Sequence, residues 1–297
     1  MEFVLNVEIN KLEWSKIMLD IIFDSFLDTL KLLPYLFFTF IILEFMEHKL
    51  GNKSREILVK NKKTGPILGS ILGGIPQCGF SVVASRLFSS RIITIGTLIS
   101  VYLATSDEMI PIMISEKVSI LLILKIIGFK VLIGMLIGIL VDFIYKRKED
   151  SKLSNIEEIC EEEHCSCHES GIIISSIKHT LKIGFFILIA NVLIGFILFL
   201  VGDETLENIL LGKNLLTYFL ASLVGLIPNC ASSVIITKLY LSGLITIGTL
   251  MSGLLTGSGL GILLLFRTNK NIKENLLILG IIYFIGVLLG ILVDLFI

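Results

Sequence analysis

Charge is scarce in this chain: only 17% of its 297 residues are Asp, Glu, Lys or Arg, against 54% apolar residues. That balance excludes a water-soluble globular domain. A net charge of −1 gives no electrostatic ground for binding nucleic acid. No Gly-x4-Gly-Lys-Ser/Thr sequence occurs, so ATP drive would need a separate subunit. Met1–Lys16 holds three Glu and no basic cluster ahead of the first apolar segment, so no signal peptide is expected. Cysteine numbers five, with three of them inside nine residues (160–168), a crowding unlike a disulfide framework.

Long apolar runs are plentiful. They fill roughly 34–46, 65–83, 92–114, 118–145, 172–201, 214–237, 244–266 and 276–297, and several reach the ~20 residues that cross a bilayer. The chain reads as an all-α, multi-pass protein of the cell membrane.

One pattern occurs twice. Gly-Gly-Ile-Pro-Gln-Cys at 73–78 returns as Gly-Leu-Ile-Pro-Asn-Cys at 225–230, and Ile-Thr-Ile-Gly-Thr-Leu occupies both 93–98 and 245–250. Pro76 and Pro228, Cys78 and Cys230, Gly96 and Gly248, and Asp142 and Asp294 all stand 152 residues apart. The chain therefore divides into a first membrane repeat (1–145), a linker (146–178) and a second membrane repeat (179–297). Duplication with an interruption at the same place points to a transporter whose site lies between its repeats.

Basic residues concentrate at 48–63, 145–148 and 267–273, which the positive-inside bias places in the cytoplasm; the acidic stretch 202–207 falls outside. These placements join if each Ile-Pro-x-Cys segment enters the membrane and returns to its own side. The first repeat is then helix 29–47 inward, hairpin 64–89 from inside, helix 91–114 outward and helix 118–145 inward. The second is helix 179–201 outward, hairpin 214–241 from outside, helix 244–266 inward and helix 276–297 outward. The repeats are inverted, both termini are outside, the linker is cytoplasmic, and about ten segments result when half-helices are counted. Full-length helical pairs in place of re-entrant hairpins satisfy the same charge pattern.

Pro76 and Pro228 lack an N–H and disfavour helix before them, so each ends one half-helix. Cys78 and Cys230 then fall in the first turn of the next, where the positive dipole end favours a thiolate. Thiolates select soft metals and metalloids, although a small apolar Cys filling a helix break is the plainer reading. The neighbouring amides Gln77 and Asn229 either orient a ligand or cap loose backbone groups. Thr94, Thr97 and Ser100 recur as Thr246, Thr249 and Ser252, on one helix face, which suits helix packing and also a polar path. Thr105 with Ser106, and Thr256 with Ser258, extend the two stripes.

The repeats differ where Asp107-Glu108 stands opposite Gly259-Leu260. Two carboxylates in an apolar span suit proton coupling or a hard cation, unless they lie solvated at a helix end. Asp142 and Asp294, each closing a Gly-Ile-Leu-Val-Asp run, read as anchors at the membrane edge. In the linker, Cys160, His164, Cys165, Cys167 and His168 could hold a thiophilic ion, although their spacing matches no standard zinc finger.

On the duplicated Ile-Pro-x-Cys turns, the Ile-Thr-Ile-Gly-Thr-Leu helices and the His/Cys-rich linker, nearly all of 29–297 resembles the ten-helix heavy-metal exporters, often labelled arsenic efflux proteins. It is similar in plan to the organoarsenical permeases. The resemblance implies a transporter, not an enzyme, with Cys78 and Cys230 handling the substrate. Some members are labelled manganese transporters, a hard ion that only Asp107 and Glu108 could suit.

The leading expectation is secondary, proton-coupled efflux of a soft metal, metalloid or small organometalloid by alternating access. Cys78, Cys230, Gln77, Asn229, Pro76, Pro228, Thr97 and Thr249 would form the substrate site, with Asp107 and Glu108 coupling. No cofactor is expected, the lipid bilayer is the constant partner, and assembly into a homo-oligomer is left open. The rivals are a manganese or other divalent-cation exporter, and a thiol–disulfide reductant conductor using Cys78 and Cys230.

Overall fold

In a computed structural model, the described residues are 64–75, 78–105, 109–145, 172–201, 215–296 and part of 18–41. Among them there are helices and no strand. The helices are α1 (Gly65–Gly73), α2 (Cys78–Ser89), α3 (Ile95–Ala104), α4 (Met109–Ser115), α5 (Ile120–Ile144) and α6 (Ile172–Val201). The second half continues with α7 (Leu215–Gly225), α8 (Cys230–Leu241), α9 (Ile247–Thr256), α10 (Leu260–Thr268) and α11 (Ile272–Phe296). Five candidate spans are long and apolar enough to cross a membrane: Ile95–Ser115, Ile120–Ile144, Ser176–Leu193, Ile247–Thr268 and Ile272–Phe296. The protein is a multi-pass membrane protein. Helices α7 to α11 repeat α1 to α5 at the 152-residue offset seen in the sequence.

Within each half the packing follows small residues. Gly65 faces Thr97, Gly69 faces Ser100 and Gly73 faces Ala104, so α1 runs parallel to α3. Gly134 and Gly138 of α5 abut Ser100 and Gly96, which makes α5 antiparallel to α3. In the second half, Gly225 faces Thr256 and the Ser222 hydroxyl donates to the Ser252 carbonyl (3.3 Å), while Gly286 and Gly290 of α11 abut Ser252 and Gly248. Lipid offers no hydrophobic drive between helices, so close backbone approach at small-xxx-small positions supplies the attraction. The large apolar side chains of α5 and α11, such as Leu124, Phe143, Phe284 and Leu288, are exposed and face outward.

Between the halves the packing is crossed: α2 lies on α10, and α8 lies on α4. The Ser85 hydroxyl donates to the Gly261 carbonyl (2.7 Å) and bonds the Tyr102 hydroxyl (2.6 Å), and Ser89 bonds Thr268 (2.6 Å). These contacts run in step, so α10 is parallel to α2 and opposite in direction to α3. The helical residues between 18 and 41 lie antiparallel to α6, with Leu33 at Gly184 and Ile21 at Gly195. The Arg267 guanidinium sits 3.9 Å over the Phe186 ring and ties α6 to the core.

One expectation needs correction. Segments 91–114 and 244–266 are not continuous helices. The first leaves helical geometry at Thr105 (φ −54°, ψ 126°); the second breaks at 257–259 and resumes at Leu260. The two halves break by different chemistry. Pro111 falls in the first turn of α4, where its missing N–H is harmless. Gly259 precedes α10 at φ 54°, ψ −143°, a conformation that essentially only glycine adopts.

Candidate transport site

The motif Ile-Thr-Ile-Gly-Thr-Leu builds a helix start. The Thr94 hydroxyl accepts from the Thr97 N–H (3.1 Å) and donates to the Asp142 carboxylate (2.6 Å), which also accepts from the Gly96 N–H (2.8 Å). Since Thr94 gives its proton to Asp142, Thr97 must donate in the Thr94–Thr97 hydroxyl pair (2.8 Å). The second copy repeats this: Asp294 accepts from the Gly248 N–H (2.8 Å) and from Thr246, whose hydroxyl caps the Thr249 N–H (3.2 Å). Tyr218 adds a third donor to Asp294 (2.7 Å). Both Asp residues therefore hold the N-termini of α3 and α9, beyond the anchoring expected of them. Thr97 and Thr249 lie at these capped ends, packed among helices.

At the opposite ends of α3 and α9 lies a small pocket whose exposed lining is mostly apolar. Thr105, Asn229, Ser232, Ser233, Leu254, Gly257 and Gly259 line it. It is bounded by the break after α3, the break after α9 and the Pro228–Asn229 break before α8. Pro228 and Asn229 are half-buried, and the Asn229 N–H donates to the Ile227 carbonyl (2.7 Å). Ser232 donates to the Asn229 carbonyl (2.8 Å), satisfying the loose end of the turn.

Lys130, which no motif singled out, is hydrogen-bonded to two residues of this pocket's wall. It is wholly buried in α5, and its ammonium donates to the carbonyls of Thr105 and Leu254 (2.8 Å for the latter), both of them pocket residues. A lysine at the centre of a membrane helix costs roughly 3 kcal/mol on insertion. Two hydrogen bonds to a charged donor, at about 1.5–3 kcal/mol each, offset that cost. The carbonyls belong to the C-terminal ends of two helices, where the dipoles favour a cation. At the corresponding place the second half carries Ile282, also buried. The signal in the sequence was a lysine deep inside an apolar run of membrane length.

Of the other expected site residues, Cys78 and Cys230 are the first residues of α2 and α8. Pro76, Gln77, Asp107, Glu108, Cys160, His164, Cys165, Cys167 and His168 lie outside the described residues. Among the described residues no group of three or more His, Cys, Asp or Glu could hold a metal.

No curated protein and no solved structure matches the chain. Residues 13–209 match the model of a family described as "putative, 10TM heavy-metal exporter". That stretch takes in the first half, the linker and α6, which is well over half of the chain, and the protein belongs to this family of ten-helix heavy-metal exporters.

Proposed function

We propose that the protein exports a thiophilic metal or metalloid by secondary transport, with its halves acting as inverted repeats around the pocket. The observation that carries this reading is the position of the pocket, where the interrupted helices of the two halves meet. Unwound backbone at membrane depth is tolerated where it lines a cavity, and transporters place their sites there.

Inversion is supported by directions: α10 runs opposite to α3, and the C-terminal ends of α3 and α9 converge on one ammonium. Re-entrant hairpins are supported by length and register. Helix α1 has nine residues, about 14 Å at 1.5 Å each, short of the ~30 Å hydrocarbon core. It runs parallel to α3, so α2 must bring the chain back to the side it left. The division into repeats 1–145 and 179–297, joined by a cytoplasmic linker at 146–178, follows from the same reading.

In this mechanism Cys78 and Cys230, opening α2 and α8, bind the soft ion, and Asn229 with Ser232 and Ser233 supplies polar walls. Asp107 and Glu108 take up and release protons, and the linker cluster loads metal from the cytoplasm. Alternating access comes from rocking of one half against the other. Sensitivity and accumulation of arsenite, Cd, Zn and Mn in cells expressing the wild type or the Cys78→Ser, Cys230→Ser double variant test it. Protection against a thiophilic ion, lost in the double variant, supports the reading. Protection against Mn alone, unaffected by the substitutions, overturns the thiol site. A redox-dependent gel shift without protection overturns transport in favour of electron transfer.

A further inference from the structure

Lys130 is a buried lysine without a counterpart in the second half, where Ile282 fills the same place. Two of its acceptors, the carbonyls of Thr105 and Leu254, belong to residues that also form the pocket wall. The negative ends of α3 and α9, one from each half, therefore meet where a transported ion would sit, and an ammonium occupies them. An environment that stabilises one cation there stabilises another. Two cations a few ångström apart in a low-dielectric interior repel strongly, so the environment serves one at a time.

We infer that Lys130 is a coupling residue: its ammonium and the exported metal cation are alternative occupants of the carbonyl-walled end of the pocket. Entry of the metal ion drives the Lys130 proton to water; release of the metal on the other side lets the amine take a proton back. One proton is exchanged for each ion, and no electrons move. Other titratable groups on the helices around it are few among the described residues. Tyr102 of α3 is engaged by Ser85, Lys125 and Asp142 of α5 lie toward its two ends, and α1, α4 and α9 carry none. The inference rests on the exporter reading and puts Lys130 in place of Asp107 and Glu108 as the proton-exchanging group.

The test is Cd2+ movement in vesicles holding the purified full-length chain, with the membrane potential clamped at zero and a pH gradient imposed. The wild type should concentrate Cd2+ on the acidic side, about tenfold per pH unit for one proton exchanged per ion. Lys130→Arg keeps the charge and can donate the same hydrogen bonds, but it does not release its proton. It should elute and melt like the wild type yet show no gradient-driven accumulation. Lys130→Gln should pass Cd2+ downhill only, indifferent to the gradient. Rescue of accumulation by arginine, or accumulation by the glutamine variant, overturns the inference and leaves the exporter reading standing. Loss of folded protein in both variants overturns it in favour of a purely structural ammonium. A wild type that moves no metal under any gradient sinks the exporter reading itself, and Lys130 coupling with it.

Discussion

Asp142 accepts the backbone N–H of Gly96 at 2.8 Å, and Asp294 accepts that of Gly248 at the same distance, so one helix-capping device is built twice. The glycines are required by space as well. A Cβ on Gly96 would come within 2.1 Å of the Gly138 carbonyl, and one on Gly248 within 2.3 Å of the Gly290 carbonyl. Two predictions separate the roles. Asp142→Asn and Asp294→Asn should each cost about 1 kcal/mol through a weakened cap. Gly96→Ala and Gly248→Ala should cost more, roughly 1–3 kcal/mol, because backbone atoms must move. Thermal unfolding of the detergent-solubilised protein ranks them; equal melting temperatures in both series would refute the packing argument.

The break before α10 rests on Gly259. Gly259→Ala should destabilise the protein by about 1–3 kcal/mol through its positive φ. Gly257→Ala, two residues away, should be mild, since its Cβ would meet nothing closer than 3.4 Å. Comparing the melting temperatures of the two variants checks this, and a harsher Gly257→Ala would show that space governs this turn instead of conformation.

Arg91 and Glu274 join the two halves by an ion pair (3.2 Å) at the turn after α2 and the start of α11. Arg91 is 35% exposed but Glu274 only 10%, so Arg91→Glu, which sets two carboxylates against each other, should lower the melting temperature measurably. If the halves rock against each other, the same substitution should alter the transport rate, and the Arg91→Glu, Glu274→Arg exchange should restore it. An unchanged rate in the single variant would remove the pair from the moving interface.

Topology makes a separate prediction. In a background free of the native cysteines, Thr64→Cys and Arg91→Cys should react with an impermeant maleimide from the cytoplasmic side. Ile75→Cys, at the tip between α1 and α2, should react from neither side. Labelling of position 75 from outside would mean a full crossing, in place of a re-entrant hairpin.

The architecture was legible where the chain repeats itself. A constant 152-residue offset, Pro breaks and apolar runs of membrane length give the number and order of most helices. The interruptions after α3 and α9 were not legible, because a polar Ser-Asp-Glu and a Gly-Ser-Gly each fit within an apolar run without ending it. The clue in the first half was Pro111, a residue that helices accept in a first turn. The role of Asp142 was hidden because its partners, Thr94 and Gly96, lie 48 and 46 residues away. Lys130 stood out as a lysine inside an apolar run, but its role was hidden: two of its acceptors are backbone carbonyls 25 and 124 residues distant, one of them in the other half. Carbonyl ligands have no residue type and leave no signature.

The crossing of α2 onto α10 and of α8 onto α4 means that neither half is self-contained. A fragment ending before the linker would present α2 with no α10 to cover it, and its complement would present α8 with no α4. Two such fragments synthesised together have everything needed to find each other, while either one alone has an open flank suited to a second copy of itself. An ancestral gene encoding a single half would on this packing have worked as a pair, and duplication would have turned a partnership between molecules into one within a chain.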